Sequence, residues 1–513
     1  MLGIRNTVVG LGWAVQLAAA STGAMSFQDL QDGWHAQLAL NPEGGGCEEA
    51  CAILSELHGD QVVAANTTLF AEHQTGYWAT QQRNQAPTCF VQPTSADDVS
   101  TIIQVARLAE CPFAVKSGGH SAFAGSANIQ GGITILLKGL DEITVSDDKT
   151  VTRTGTGNRW IDVYENLQKR QLSVVGGRVA EIGTGGLTLG GGISFYSGRY
   201  GWACDNVVGY QVVTAEGEIL EVDYESHPDL YWALRGGGNN FGIVTRLDLE
   251  TFPQGPIWGG AFISNIEHSD ALLDALTEFA THADQDPDAG TWVAIVYAEQ
   301  MGWIASTQLT HIQGVAEPSI FQTFQSVPSI HSTLRTSNMT DLAWELNANC
   351  PNGLYETYWT ATFHNSAELM HDIERYFRSE MQPFETRPGL VAACVFSPIT
   401  VPMLSHMSKR GGNALGLDPA DGPFNLLNLA TMWADEADSA EIIAAHQRVV
   451  DWAVERATEK GLEHRFLYQN YAAEGQRVFE SYGEENLERL KAVSLRYDPE
   501  QVFQRLQPGY FKL

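Results

Sequence analysis

Glycine constrains this chain more than any other feature. Between residues 116 and 242 it is concentrated in four clusters, each broken by few side chains: Ser117-Gly118-Gly119-His120-Ser121, Gly183-Thr184-Gly185-Gly186, Gly190-Gly191-Gly192 and Gly236-Gly237-Gly238-Asn239. A residue without a side chain lets backbone N–H groups approach an anion closely. One such cluster is an ordinary tight turn. Four in one stretch point to loops that converge on a pyrophosphate. The usual fingerprints are absent. Neither Gly183-Thr184-Gly185 nor Gly236-Gly237-Gly238 is completed by the glycine that a Rossmann dinucleotide turn requires, and no Gly-Lys pair exists to make a P-loop. A dinucleotide therefore has to be held by a different fold.

The surrounding pattern is α+β. Cys89-Phe90-Val91 predicts a short strand. Ser95 and Asp98 form a capping box at the head of a helix whose apolar face is Val99, Ile102, Ile103 and Ala106. Pro112 ends that helix, and Phe113-Ala114-Val115 predicts the next strand, completing a βαβ unit. Ile133 to Leu137 is a further apolar run, and Val207–Val213 with Ile219–Val222 predicts a strand pair around Glu216-Gly217. Pro253 to Pro256 marks a boundary, after which glycine thins and long helices are expected, among them Ala437–Thr458 and Glu484–Leu495. The resulting organisation is a glycine-rich domain at 84–256, a sheet with covering helices at 257–463, and a closing segment at 464–513.

The N-terminus predicts a secretory signal over residues 1–24. Arg5 supplies the positive start, Val8 to Ala20 the short apolar core, and Ala18-Ala19-Ala20 or Thr22-Gly23-Ala24 the cleavage site. Secretion permits disulfides, and the seven cysteines (47, 51, 89, 111, 204, 350 and 394) leave at least one thiol over. Asn66-Thr67-Thr68 and Asn338-Met339-Thr340 are glycosylation sequons. Cys47 and Cys51 have no histidine cluster to match, so no metal site is expected. With 61 acidic and 30 basic residues the formal net charge is −31, which argues against nucleic acid and anionic lipid as partners. No membrane span is expected, and a monomer is the simplest assembly.

His120 follows two glycines at the end of a strand, exposed to whatever the loop binds. Its imidazole is nucleophilic enough to attack an electrophilic ring methyl. Here the residues resemble a known family. Pro112 to Ser121 closely resembles the flavin-attachment segment of FAD-linked oxidases of the berberine-bridge-enzyme type, in the vanillyl-alcohol-oxidase (PCMH-type) superfamily. Gly185 to Gly192 and Arg235 to Thr245 resemble its second and third cofactor loops, and Tyr468-Gln469-Asn470-Tyr471 with Tyr482-Gly483, Asn486, Arg489-Leu490, Asp498-Pro499 and Phe503 its closing module. The motifs run in order over most of the chain; only 260–460 is unmarked.

The resemblance implies a two-lobed α+β fold with a PCMH-type FAD-binding domain and an α/β substrate domain. It implies FAD held covalently by a single bond through His120, and a cofactor site formed with Ser117, Gly118, Gly119, Ser121, Gly185, Gly186, Gly190, Ser194, Ile243 and Asn470. It also implies a Cys51–Cys111 disulfide. Some members carry a second bond from a cysteine at the place of Val179, which has no sulfur. Ile182 stands at the place that governs oxygen access, where a smaller residue goes with oxidases. Tyr471 matches the family's catalytic base. A tyrosine with a pKa of ~10 needs a neighbouring cation, or the flavin's field, to act near pH 7.

The activity so implied is oxidation of a small organic substrate, a tailoring step on a secondary metabolite, with oxygen as acceptor and hydrogen peroxide as product. An oligosaccharide oxidase is the alternative within the family, and a secreted protein that retains flavin with little turnover is the alternative outside catalysis. Trp258, Trp292, Trp303, Tyr355, Tyr358, Trp359 and Trp433 are available for an aromatic cleft, although such residues more often form core.

Overall fold

A computed structural model describes residues 30–32 and 46–513. The signal segment lies outside the described residues. The described residues form three sheets.

Helix α1 (Cys47–His58) leads into β1 (Val62–Ala64) and β2 (Cys89–Val91), followed by α2 (Ala96–Leu108), β3 (Phe113–Lys116) and β4 (Ile133–Leu136). The capping box is present: the Ser95 hydroxyl accepts from the Asp98 N–H, and the Asp98 carboxylate accepts from the Ser95 N–H. The strand order is β1-β2-β4-β3, with β4 parallel to both β2 and β3. The βαβ unit predicted from sequence therefore spans a gap, because the crossover through α2 leaves one strand position open. All of β4 is buried, as befits a central strand covered on both faces.

The disulfides differ from the implied pairing. Cys47 bonds to Cys111, and Cys51 bonds to Cys89. Cys47 and Cys51 lie one turn apart on the same face of α1. That face packs over the sheet where β2 begins at Cys89 and where Cys111 precedes β3. Since β4 separates these two strands, each cysteine meets its own partner. Cys204, Cys350 and Cys394 remain as thiols.

The second sheet holds β5 (Ile143–Val145), β6 (Val151–Gly155), β7 (Leu172–Val174), β8 (Val207–Val213), β9 (Ile219–Val222) and β10 (Ile243–Pro253). The order is β5-β6-β10-β8-β9, with β7 on the far end of β10. The β8–β9 hairpin has the predicted limits, with Tyr210 opposite Val222 and Val213 opposite Ile219. Helices α3 (Trp160–Gln168) and α4 (Thr184–Leu189) flank the loop 175–183.

The third sheet has nine strands. They are β11 (Ile257–Asn265), β12 (Ala289–Ala298), β13 (Gly302–His311), β14 (His331–Ser332), β15 (Arg335–Ser337), β16 (Tyr355–His364), β17 (Val391–Ile399), β18 (Phe424–Trp433) and β19 (Glu463–His464). Helices α5 (Ser269–His282), α6 (Met339–Asn347), α7 (Ala367–Met381) and α8 (Ser439–Lys460) accompany it. One face packs on α5, α7 and α8 in a single apolar core. Strand alternation turns neighbouring residues to the opposite face. Val293 and Ile295 of β12 face the helices while Trp292 joins the core of the glycine-rich lobe; Ala361 and Phe363 of β16 face the helices while Tyr358 faces a cavity. After β19 the chain returns: Phe466 and Tyr468 pack in the glycine-rich lobe, α9 (Glu484–Tyr497) follows, and Phe503 inserts beside Phe113.

Candidate cofactor and substrate site

Three of the four glycine clusters reach one cavity. A cavity open to solvent at its mouth lies between the two lobes and is lined from β3, the 117–123 loop, the 178–189 loop and helix, 238–244, β16 and the 468–472 segment. Glycine is a steric requirement at the meeting of the first two loops. A Cβ on Gly118 would stand 2.3 Å from the Gly183 nitrogen, and one on Gly183 would stand 2.2 Å from the Gly118 nitrogen. The Ser117 hydroxyl fastens the same junction, donating to the Thr156 carbonyl at 2.6 Å and accepting from the Gly185 N–H at 3.3 Å.

His120 is half-buried at the cavity wall. Its ring stacks on Trp78 with centroids 4.1 Å apart and planes 12° from parallel. Burial pushes its pKa down to about 4, with the His120 backbone and the Glu181 carboxylate opposing the shift. The imidazole is therefore neutral at neutral pH and keeps a nucleophilic lone pair. Trp78 in turn approaches Tyr358 at 5.5 Å, and Tyr358 meets Tyr471 edge-on at 5.9 Å. An aromatic chain thus joins His120 to Tyr471.

Tyr468 and Tyr471 are not equivalent. Tyr468 is buried, and its hydroxyl accepts from the Ile193 N–H and from Asn470 Nδ2, both at 3.0 Å. Burial raises its pKa strongly. Tyr471 is half-buried at the cavity wall, and its hydroxyl accepts from Arg178 Nη2 at 2.6 Å. The cation that a tyrosine base requires is therefore present. Sequence reading missed Arg178, which is far from Tyr471 in the chain and belongs to no quoted motif. Its loop is held rigidly: Gly176 and Gly177 pack against Trp160, Tyr164 donates to the Gly177 carbonyl at 2.7 Å, and the Ala180 N–H donates to Ala343 of α6 at 3.2 Å.

Asn470 braces this wall. Its Nδ2 donates to the Leu187 carbonyl at 2.9 Å, and a Cβ on Gly190 would collide with its Oδ1. Gly118, Gly119, Ser121, Gly185, Gly186 and Ile243 line the cavity with Ser117, His120, Asn470 and Tyr471. Gly190 and Ser194 do not line it. Gly190 stands behind Asn470, and the Ser194 N–H and hydroxyl are engaged with Ser197 and Tyr196. Val179 and Ile182 are both on the wall. Among the aromatic residues considered for a cleft, Tyr358 lines the cavity and Trp292 stacks under Arg178. Trp258, Trp303, Tyr355, Trp359 and Trp433 pack on the helical side of the third sheet, as strand alternation requires.

The cavity suits a flavin dinucleotide. The wall is mostly apolar, and the glycine loops present backbone without intervening side chains. Ser121 Oγ, Gln469 Nε2 and Gln507 Oε1 are buried at the wall without protein partners, so they are free to meet the polar edges of a bound group.

A buried carboxyl lies nearby on β16. Burial pushes Glu356 up to about 9, and its Oε1 has no partner. The Cys350 thiol and the Tyr358 hydroxyl are its ionisable neighbours. A carboxyl held protonated in the fold stabilises it fully below its unfolded pKa of ~4.3, and that stability is lost as pH rises through about 9. Glu356→Gln is expected to flatten this dependence and to melt above the parent at pH 8–9. Thermal melts of both proteins from pH 5 to 9 check it; parallel curves would disprove it.

A family model described as an FAD binding domain matches residues 87–223. An FAD-dependent monooxygenase of Cochliobolus heterostrophus is 40% identical over 93% of this chain and 96% of its own length. The bifunctional solanapyrone synthase of Alternaria solani is 32% identical over 91% of this chain and 90% of its own. Among solved structures, glucooligosaccharide oxidase from Acremonium strictum, described with a 6-S-cysteinyl, 8α-N1-histidyl FAD, superposes with a TM-score of 0.71 at 20% identity, over 89% of this chain and 97% of that one. The α+β fold expected from sequence is the fold these proteins share. No helix among the described residues is long and apolar enough to cross a membrane. On the extent of its similarity to the monooxygenases, this chain belongs to a family of FAD-dependent oxidoreductases that includes them, and its backbone follows the fold of the glucooligosaccharide oxidase.

Proposed function

We propose that this enzyme dehydrogenates a small organic substrate as a tailoring step in secondary metabolism, passing the electrons to oxygen to give hydrogen peroxide. The observation that carries the reading is that a half-buried His120, neutral at neutral pH, and an arginine-contacted Tyr471 share one cavity. Residues 84–256 and 464–513 hold the cofactor, and 257–463 cover it. FAD, when bound, supplies a two-electron acceptor for a hydride leaving a substrate carbon.

The chain's own residues do the rest. His120 would hold the flavin as its single covalent anchor, with Trp78 stacked on its ring. With valine at position 179 there is no sulfur for a second bond. Ser117, Gly118, Gly119, Ser121, Gly185, Gly186, Ile243 and Asn470 form the cradle; Gly190 and Ser194 support it from behind. Tyr471 takes a proton from the substrate. The Arg178 guanidinium stabilises the oxyanion that this step requires of the tyrosine. The solanapyrone synthase among the relatives supports a biosynthetic substrate, and the histidyl FAD of the glucooligosaccharide oxidase supports the attachment. The two disulfides and the exposed Asn66 sequon accord with a secreted glycoprotein.

Absorbance spectra before and after acid precipitation, with His120→Ala in parallel, test this reading. Flavin is expected to stay in the parent pellet and to leave the variant's. A colourless protein, with or without added FAD, would end the proposal. Flavin that survives acid in the variant would place a second bond elsewhere.

A further inference from the structure

Arg178 is half-buried at an apolar wall, with guanidinium donors to spare. A ligand that closes over a guanidinium takes it out of water, which is costly unless that ligand brings an anion or a set of acceptors to meet it. Among the described residues the cavity wall contains no aspartate, glutamate or lysine, and Arg178 is its only permanently charged side chain. No carboxylate of the described residues pairs with it: its recorded contacts are the 2.6 Å hydrogen bond to Tyr471 and the Trp292 ring, whose centroid lies 4.3 Å from the guanidinium carbon. A guanidinium carries several further N–H donors in a rigid planar fork, the geometry that fits an acidic oxygen or a carboxylate.

The position matters as much as the charge. Arg178 touches the hydroxyl of Tyr471, so a group docked on its free donors lies beside the residue that takes the proton. The wall near it is apolar and aromatic: Val179, Ile182, Ile193, Tyr358 and Ala472. Such a wall fits a flat conjugated body. It offers no carboxylate to accept hydrogen bonds from the many hydroxyls of a sugar.

We propose that Arg178 is the specificity-determining residue of the substrate site, and that it selects a planar conjugated substrate through an acidic oxygen: a phenol, an enol or a carboxylic acid. This rests on the dehydrogenase reading above and deepens it by naming the substrate class. The Arg178 fork holds the acidic oxygen, Trp292 fixes the plane of the fork from below, and Tyr471 stands next to the oxygen so held. A neutral carbohydrate leaves the fork unpaired.

The test uses the flavin-loaded enzyme, with benzoate and its neutral counterpart benzamide as probes and cellobiose as the carbohydrate control. Binding is read from the perturbation of the flavin spectrum and, independently, by calorimetry. Benzoate is expected to bind about ten- to a hundredfold more tightly than benzamide, the difference that a charge-assisted hydrogen bond makes. Arg178→Gln is expected to erase that preference while the resting flavin spectrum and the melting temperature stay those of the parent. Arg178→Lys is expected to restore part of it, since lysine keeps the charge and loses the fork. Equal affinity for the two aromatic probes, no binding of either, cellobiose binding more tightly than benzoate, or a preference that survives Arg178→Gln would each overturn the proposal. A protein that holds no flavin would instead defeat the dehydrogenase reading. Flavin present without charge preference would defeat this inference alone.

Discussion

Tyr471→Phe is expected to lower kcat by about 10²–10⁴-fold, the range for losing a positioned general base, while flavin content and melting temperature hold. The hydroxyl removed has one protein partner, Arg178, and lies at the cavity wall rather than in the core, so little structural support goes with it. Tyr468→Phe makes the contrast. That hydroxyl accepts from the Ile193 N–H and from Asn470 within the packed interior. Its loss leaves two half-buried donors without that acceptor, at about 0.5–1.5 kcal/mol of stability, and loosens the Asn470 brace. Stopped-flow reduction of the flavin by any substrate that releases peroxide separates the two. A large fall in the reduction rate for Tyr468→Phe with a small one for Tyr471→Phe would reverse the assignment of the base.

The second large effect concerns the loops proposed to cradle the cofactor, and it divides fold from binding. In Gly118→Ala the new methyl meets the backbone of Gly183 at 2.3 Å from nitrogen and 2.7 Å from Cα. Backbone cannot rotate out of the way, so the loops must part, at about 1–3 kcal/mol or more. Gly186 lies in α4 and has nothing within 4 Å of the place its Cβ would take. That open space is the cavity. Gly186→Ala is therefore expected to leave the flavin-free protein as stable as the parent or better by about 0.5–1 kcal/mol, yet to weaken flavin retention, because the methyl occupies cofactor volume. Melting of flavin-free protein and flavin stoichiometry, measured on both variants, check this. Full flavin content in Gly186→Ala would mean that the dinucleotide does not lie against α4.

Much of this was legible in the residues because it was local. The Ser95–Asp98 capping box, the β8–β9 hairpin around Glu216-Gly217 and α9 from Glu484 depend on neighbours a few positions apart, and each formed within a residue or two of its expected limits. The glycine clusters were legible for the same reason, since a close backbone approach admits no other residue. By itself the sequence determined that the chain is α+β, that its glycine turns bring backbone close to backbone, and that His120 and Tyr471 are the residues to look for.

Tertiary structure decided what depends on distant segments meeting. The slot that β4 fills between β2 and β3 splits the cysteines into Cys47–Cys111 and Cys51–Cys89, and no spacing along the chain reveals which strands a helix will straddle. Alternation along β12 and β16 sends Trp292 and Tyr358 toward the cavity and their neighbours toward the helices, but it fixes only parity; which face is which is set by the packing of α5, α7 and α8. Arg178 becomes the partner of Tyr471 only when the 464–513 segment folds back across the loop 175–183. A charge contact between residues so far apart costs chain entropy that only the assembled core repays, which is why the cation beside Tyr471 is a property of the fold and not of any stretch of sequence.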